Sequence, residues 1–233
     1  LYQVPTQIPS TVTSLSHMFA EATAFNQDIN SWNVSSVDDL EWTFQNAQYF
    51  NKPLNNWDVS SVTNLGSTFG AAYRFNQDIS SWDISSVTNM YGTFYAAQAF
   101  NQPLNNWDVS NVINMGEIFK YAYQFNQPLD AWDPHTATNM GQMFYRAYRF
   151  NQDIRNWHLR TDVSVSLDRM FDVATEMIAT YTGTLGFGST PTREFFIGHP
   201  PPPTITITGA NPMFINIDAT ASYTDLGASA VDS

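Results

Sequence analysis

One position of the sequence carries a carboxylate at intervals of 25 residues, and this spacing is the first feature that suggests chemistry. The four residues are Asp58, Asp83, Asp108 and Asp133, with Asn33 before them and His158 after them. If consecutive copies stack about 4.8 Å apart, neighbouring carboxylates repel one another by roughly 1–3 kcal/mol. Calcium would offset that repulsion, because it takes oxygen ligands of this kind. We favour the alternative, in which each carboxylate accepts hydrogen bonds from the amides of the Ser-Ser pair that follows it.

A catalytic interpretation requires other partners for these carboxylates. His158, Asp133 and Ser166 have the residue types of a nucleophilic triad, and a close pair of aspartates has those of a glycosidase. The chain has four histidines and no nucleophile elbow, glycine-rich phosphate loop or His-Glu-x-x-His motif. Carboxylates at a fixed interval are typical of duplication. We therefore predict that the protein is not an enzyme and needs no cofactor, with calcium as the disfavoured exception.

Variable positions within the repeat indicate where a partner would bind, because stacking does not dictate them. Tyr73, Tyr123 and Tyr148 share one position, Tyr95 and Tyr145 a second, and Arg74 and Arg149 a third. Tyrosine and arginine are enriched in recognition surfaces. The sequence therefore predicts a ligand-binding surface made of these residues. The alternative is that the tyrosine rings lie over neighbouring repeats, with their hydroxyl groups in water.

All these residues belong to a repeat that covers most of the chain. Residues recur every 25 positions in five series, which run from Phe19 to Phe144, Phe25 to Phe150, Trp32 to Trp157, Ala22 to Ala147 and Asn26 to Asn151. We expect the phenylalanine, tryptophan and alanine series to form one continuous core. We expect the asparagines to bond to backbone groups at the corners of the repeats.

Each repeat combines a helical pattern with an extended one. Leu40, Phe44 and Ala47 follow the i, i+4, i+7 spacing of a helix. Trp107 and Val109 lie two residues apart, on one face of a short strand. The predicted fold class is an α/β repeat solenoid of the leucine-rich-repeat type, with a short parallel strand and a short helix in each 25-residue coil.

The sequence divides into three predicted segments. Residues 1–198 form the solenoid with its terminal caps, and six full copies occupy about 17–168. Residues 199–203 are a proline-rich linker, and residues 204–233 are an incomplete β-type tail. In that tail, Thr204–Thr208 and Met213–Ile217 alternate as half-buried strands do. Residues 180–198 are expected to cover the last coil.

The overall charge narrows the range of partners. The net charge is −12, which disfavours nucleic acid and anionic lipid surfaces. No apolar run reaches the length that spans a bilayer, so we predict no direct membrane insertion. There are no cysteines, which excludes disulfides and thiolate metal sites.

The repeat motifs resemble those of a known family. The stretch from Trp57 to Leu65, followed by Thr68–Ala72 and Phe75–Asp78, is similar to the 25-residue repeat of BspA-like leucine-rich-repeat surface proteins. The resemblance covers about Val12 to Met177. It implies an extracellular or cell-surface location and a role in adhesion. The segment after Pro200 is similar to the opening strands of bacterial immunoglobulin-like modules.

Two functions follow as hypotheses. The first is a binding or adhesion module that recognises a protein or glycan on another surface through the outside of the solenoid. The alternative is a structural subunit of a surface filament or coat, which self-associates through the solenoid ends and the C-terminal strands.

Overall fold

The computed structural model describes residues 3–197, 207–208 and 214–215. The chain divides into two compact units, Leu1–Ile197 and Gly198–Ser233. The first unit contains helix α1 (Thr175–Tyr181) and a 3-10 helix (Arg193–Phe196). The second contains strands β1 (Ile207–Thr208) and β2 (Phe214–Ile215).

In the first unit, successive repeats lie against one another through parallel bridges of one residue each. The bridged pairs are Ser14–Asp39, Asp39–Asn64, Asn64–Asn89, Asn89–Asn114, Asn114–Asn139 and Asn139–Ser166. The partners are one repeat apart in every pair. The last pair spans two residues more than the others because the stretch from Leu159 to Leu167 is longer. Like positions therefore lie next to like positions along the stack.

The helix predicted in each repeat is wrong, because residues 41–46 and their equivalents form turns. The Thr43 amide donates to the Leu40 carbonyl at 3.1 Å, which closes a four-residue turn. Trp42 and Asn46 have φ angles of 57° and 55°. A right-handed helix excludes such angles, whereas a type II turn requires one at its third residue. The equivalent residues of the other repeats also have positive φ angles.

Alternate amides of each turn segment bond to the next repeat. Trp42 donates to the Gly66 carbonyl at 2.8 Å, and Phe44 donates to the Thr68 carbonyl at 2.8 Å. An α-helix would direct these N–H groups to carbonyls four residues back in the same repeat. The structure instead uses them between repeats, so no buried backbone donor here is left unpaired.

The predicted strand around Trp107 is also absent. The side chains of Trp107 and Val109 are both buried, on one face as expected. The backbone of these two residues forms no bridge, however, and the Trp107 amide closes a turn by donating to the Leu104 carbonyl at 3.0 Å. The bridge of this repeat lies instead at Asn114.

The repeated aromatic residues form the core. The ring centres of Trp57 and Trp82 are 6.4 Å apart, as are those of Trp82 and Trp107. The indole N–H of Trp82 donates to the Leu54 carbonyl of the preceding repeat at 3.0 Å. Each tryptophan of the 25-residue series therefore combines apolar burial with a satisfied polar group, which a buried indole needs.

The asparagine series connects the corners of the repeats. The Asn51 side-chain oxygen accepts the Asn76 amide at 3.0 Å and the Gln77 side-chain amide at 2.9 Å. The same backbone bond joins each asparagine from Asn26 to Asn151 to the next. The prediction that these residues bond to backbone groups at the corners is confirmed. The side-chain oxygens of the series from Asn26 to Asn126 thus join adjacent repeats.

Residues after the last repeat cover its aromatic core. Phe196 stacks on Trp157 with ring centres 6.4 Å apart. Phe187 and Phe195 lie against Phe171 at 5.5 and 5.7 Å. The Phe171 amide also donates to the Ser189 carbonyl at 2.9 Å. The segment that the sequence assigns to a cap therefore contacts both the ring system and the backbone edge of the last repeat.

In the second unit, β1 and β2 pair antiparallel, with Ile207 opposite Ile215. These residues fall within the two strands predicted at Thr204–Thr208 and Met213–Ile217. The predicted linker at residues 199–203 and the rest of the tail lie outside the described residues.

Candidate recognition surface

The repeated aspartates are exposed and hold the turns that follow them. Ser60 donates to Asp58 Oδ1 from its hydroxyl group at 2.7 Å and from its amide at 3.2 Å. Ser85 makes the same two bonds to Asp83 at 2.7 and 3.0 Å. These are the hydrogen bonds that the sequence predicts as the alternative to calcium, and they come from the first serine of each pair.

These hydrogen bonds set the acidity of the carboxyl groups. The pKa of Asp58 lies below its ordinary value because the Ser60 hydroxyl and amide stabilise the charged form. The pKa of Asp83 is lowered in the same way by Ser85, and that of Asp108 by Ser110. Neighbouring carboxylates oppose the shift without reversing it at Asp58 and Asp108.

Asp133, the last aspartate of the series, lies next to two histidines. Asp133 lies 3.3 Å from His135 Nδ1 and 3.4 Å from His158 Nδ1. Ser166 instead pairs with Asn139, through the bridge of its own repeat. Among the described residues, no group of three or more histidine or acidic side chains has the geometry of a metal site.

Part of the predicted tyrosine and arginine set comes together with residues that the sequence analysis did not select. The Tyr121 ring contacts Tyr95 and Tyr145 edge to face, with ring centres 5.7 and 5.4 Å away. Tyr121 also meets Tyr123 at 6.4 Å, and Tyr123 stacks on Tyr148 at 5.0 Å. Rings from successive repeats thus form one connected group, the tyrosine surface: Tyr95, Tyr121, Tyr123, Tyr145 and Tyr148.

Three cations lie over these rings. Lys120 Nζ is 5.6 Å from the ring centres of Tyr95 and Tyr145. The guanidinium groups of Arg146 and Arg169 are 5.5 and 4.8 Å from the Tyr145 ring centre. These distances are those of cation–π contacts. The cations form a local positive group on a chain whose net charge is −12.

Arg146 differs from the other two cations. Lys120 is paired with Glu117 at 3.1 Å, and Arg169 with Asp172 at 2.7 Å. Within the described residues, Arg146 has no ion pair with a carboxylate, and its Nε atom is buried without a hydrogen-bond partner. Its guanidinium group instead lies over two tyrosine rings, 5.8 Å from the Tyr121 centre and 5.5 Å from the Tyr145 centre.

The other predicted site residues lie apart from this group. Tyr73 is exposed, and Arg74 lies 4.2 Å from the Tyr49 ring centre. Arg149 is exposed beside Tyr148 in the chain. Tyr145 is buried, with 9% of its surface exposed, so it acts as the base of the tyrosine surface more than as its contact face.

A groove next to Tyr95 contains further residues that the sequence analysis missed. Its volume is about 440 Å³, and its aromatic lining consists of Trp42, Tyr91 and Tyr95. Burial and a hydrogen bond to the Glu117 carboxylate raise the pKa of Tyr91 to about 12. One signal in the sequence distinguishes Trp42, because it is the one tryptophan of seven that falls outside the 25-residue series.

Comparison with known proteins identifies the family of the chain. Two overlapping segments, residues 6–102 and 65–183, match the family described as "Mycoplasma protein of unknown function, DUF285". The chain belongs to this family, because the matches together cover more than half of it. The match supports the prediction of a repeat family of the surface-protein type, and the family's description leaves its function open. No curated protein and no solved structure shows significant similarity to the chain.

The helices also bear on the question of a membrane. None of those in the described part of the chain is long and apolar enough to cross a bilayer.

Proposed function

We propose that this protein is an extracellular or cell-surface binding module that recognises a protein or glycan on another surface. In this proposal the stacked repeats are a solenoid of the BspA-like leucine-rich-repeat type, and the tail is the start of an immunoglobulin-like module. The chain has no enzymatic role and no cofactor. Its partner meets the tyrosine surface and the cations over it.

One observation carries this proposal: tyrosines and cations are concentrated at positions that the repeat does not need for its core. The core series lie elsewhere in the repeat and are almost completely buried. Tyrosine and arginine contribute large contact areas at a low entropic cost, and binding hot spots are enriched in both. A cluster of both types on an acidic chain is therefore typical of a recognition surface.

The alternative function, assembly through the ends of the stack, has less support. The last repeat is covered by Phe196 and Phe195, which occupy the faces that another copy would need. End-to-end stacking on that side would require the removal of these rings from a buried position, at a cost of several kcal/mol. Binding through the side of the repeats needs no such rearrangement.

The test is the double variant Tyr123→Ala/Tyr148→Ala in the full chain. Both rings are partly exposed and pack mainly on each other. We expect binding of the labelled protein to a panel of cultured cells and matrix proteins to fall at least tenfold. We expect the free energy of unfolding to fall by about 1 kcal/mol at most.

The matched control is Ile113→Ala, since Ile113 is 50% exposed and lies outside the tyrosine surface. Binding of the double variant at the level of the wild-type protein, with the control also unchanged, would refute the proposal. A loss of several kcal/mol in stability would show that the rings act in packing.

A further inference from the structure

The groove arises because one repeat has small residues at four positions where the preceding repeat has larger ones and the following repeat has two tyrosines. At positions 66, 67, 70 and 71 this repeat has Gly66, Ser67, Gly70 and Ala71. The preceding repeat has Glu41, Trp42, Gln45 and Asn46 at the same positions, and the following repeat has Tyr91, Gly92, Tyr95 and Ala96. The small residues form a floor between two higher walls. Repeats that stack about 4.8 Å apart place these walls roughly 10 Å from each other.

Each wall presents an exposed aromatic ring. Trp42 is 38% exposed and Tyr91 is 39% exposed. The other tryptophans are buried in the core, so Trp42 is exceptional among the described residues. Its backbone is held at a φ of 57°, which L residues rarely adopt, and its ring packs on His17 at 4.5 Å. A large apolar ring is thus held at the surface, outside the set of buried core residues.

The polar groups of the groove are carboxylates and amides. They belong to Glu41, Gln45, Asn89, Asn114 and Glu117. The Tyr91 amide donates to Asn89 Oδ1 at 3.1 Å, and Asn89 Nδ2 donates to Asn64 Oδ1 at 2.8 Å. These bonds fix the orientation of the amide at the base of the wall. Sites for small ligands have this composition, with aromatic walls and a few polar groups in fixed positions.

We propose that this groove binds a neutral oligosaccharide. A sugar ring has one face of C–H groups, which packs on an aromatic ring, and an edge of hydroxyl groups, which bond to amides and carboxylates. Two aromatic rings about 10 Å apart, across a floor of small residues, fit the length of a disaccharide unit. The proposal rests on the proposed function and gives its ligand a chemical class.

The charge of the groove favours a neutral ligand over an acidic one. Glu41 and Glu117 both line it, and the chain carries a net charge of −12. Lys120 offsets the charge of Glu117, with which it pairs at 3.1 Å, so the repulsion of a glycan carboxylate or sulfate comes mainly from Glu41 and from the net charge. The hydroxyl groups of a neutral sugar can donate to the carboxylates without this repulsion.

Trp42 provides a direct measurement, because the other six tryptophans lie in the core. Quenching of the intrinsic fluorescence by acrylamide reports mainly on Trp42. We expect at least one neutral hexose or N-acetylhexosamine oligosaccharide of a glycan array to bind the full chain. We expect that sugar to reduce the quenching, and its sialylated or sulfated form to bind at least tenfold more weakly.

Two variants test the groove without disturbing the core. Tyr91→Ala removes one wall, and Ser67→Gln raises the floor with the residue that Gln142 supplies at the equivalent position, where φ is 55°. We expect each to weaken the sugar at least tenfold with an unchanged melting temperature. The control is Tyr49→Ala, because Tyr49 is 49% exposed and does not line the groove.

The proposal is overturned if no neutral oligosaccharide on the array protects Trp42, or if the Ser67→Gln variant binds the sugar as the wild-type protein does. These outcomes leave the proposed function intact when binding to cells or matrix is still lost in Tyr123→Ala/Tyr148→Ala. An acidic glycan that binds in the groove variants but not in that double variant would assign the ligand to the tyrosine surface. If neither the groove variants nor Tyr123→Ala/Tyr148→Ala weaken binding, both proposals are refuted.

Discussion

At the scale of single residues, polar side chains in this protein act mainly on the backbone. Asp58 accepts two hydrogen bonds from Ser60, and Asn33 accepts the same two from Ser35 at an equivalent position. Aspartate and asparagine are interchangeable there because both offer a side-chain oxygen two residues before the donor. The difference between them is that only aspartate changes its charge with pH.

This difference predicts an effect of acid on stability. The folded pKa of Asp58 and of Asp83 lies below the unfolded value of 3.8. Their contribution is therefore present above that value and is lost as the pH falls through the folded pKa. We expect Ser60→Ala/Ser85→Ala to lower the melting temperature at pH 7 and to reduce the further drop between pH 7 and pH 3.

The matched control for this prediction is Ser35→Ala, because Asn33 does not titrate. Its effect on the melting temperature should be the same at pH 7 and pH 3. An equal drop on acidification in the wild-type protein and the serine double variant would contradict the role assigned to these hydrogen bonds.

At the scale of elements, the repeat uses turns where its apolar spacing indicates a helix. Ala71 and Ala96 have φ angles of 52° and 53°. Their amides donate to backbone carbonyls of the next repeat. Ala71 donates to the Tyr95 carbonyl at 2.6 Å, and Ala96 donates to the Lys120 carbonyl at 2.7 Å. A left-handed conformation costs an L residue about 1–2 kcal/mol. The inter-repeat hydrogen bonds and the buried aromatic core offset this cost.

Glycine substitutions distinguish the turn from the helix. In a helix, Ala71→Gly and Ala96→Gly would each cost about 1 kcal/mol. In the observed turns, glycine relieves the left-handed strain but gains freedom in the unfolded chain, worth about 0.5–1 kcal/mol. We expect the midpoint of denaturant unfolding to stay the same or to rise. Ala72→Gly, at a buried position outside the left-handed set, serves as the control and should lower it.

At the scale of the whole molecule, the first unit is held together by contacts between adjacent repeats. Bridges, stacked rings and side-chain bonds all join residues one repeat apart. In such a stack each repeat depends on its neighbours, and the terminal repeats are the least protected. The rings that follow the last repeat therefore have a particular importance for its stability.

This arrangement predicts that loss of the cap acts locally. Phe195 is 2% exposed and contacts Phe171 and Tyr181. We expect Phe195→Ala to cost about 3–5 kcal/mol in the last repeat. Amide hydrogen exchange should accelerate around Met170 and Phe171 and remain slow in the middle repeats.

Leu185→Ala is the control for the cap, because Leu185 is 73% exposed in the same segment. It should leave the exchange rates unchanged. Uniform acceleration along all repeats in Phe195→Ala would show that the stack unfolds as a single unit.

The sequence by itself determined the repeat, the core and the role of the corner residues. Stacking places like side chains next to like, so a fixed spacing of Trp and Phe is sufficient to identify the interior. The hydrogen bonds of Asp58 and of Asn51 also followed from local chemistry. Trp42 carried a signal in its departure from the tryptophan series, and that signal is visible without coordinates.

Only the tertiary structure decided the path of the backbone and the composition of the surface. The spacing of Leu40, Phe44 and Ala47 fits a helix and a pair of turns equally well. The choice depends on whether backbone amides bond within a repeat or to the next one. Likewise, Trp42 and Tyr91 face one groove because the repeat between them has small side chains at its floor. The turns and the groove both depend on contacts between repeats, and the spacing of residues within one repeat does not specify those contacts.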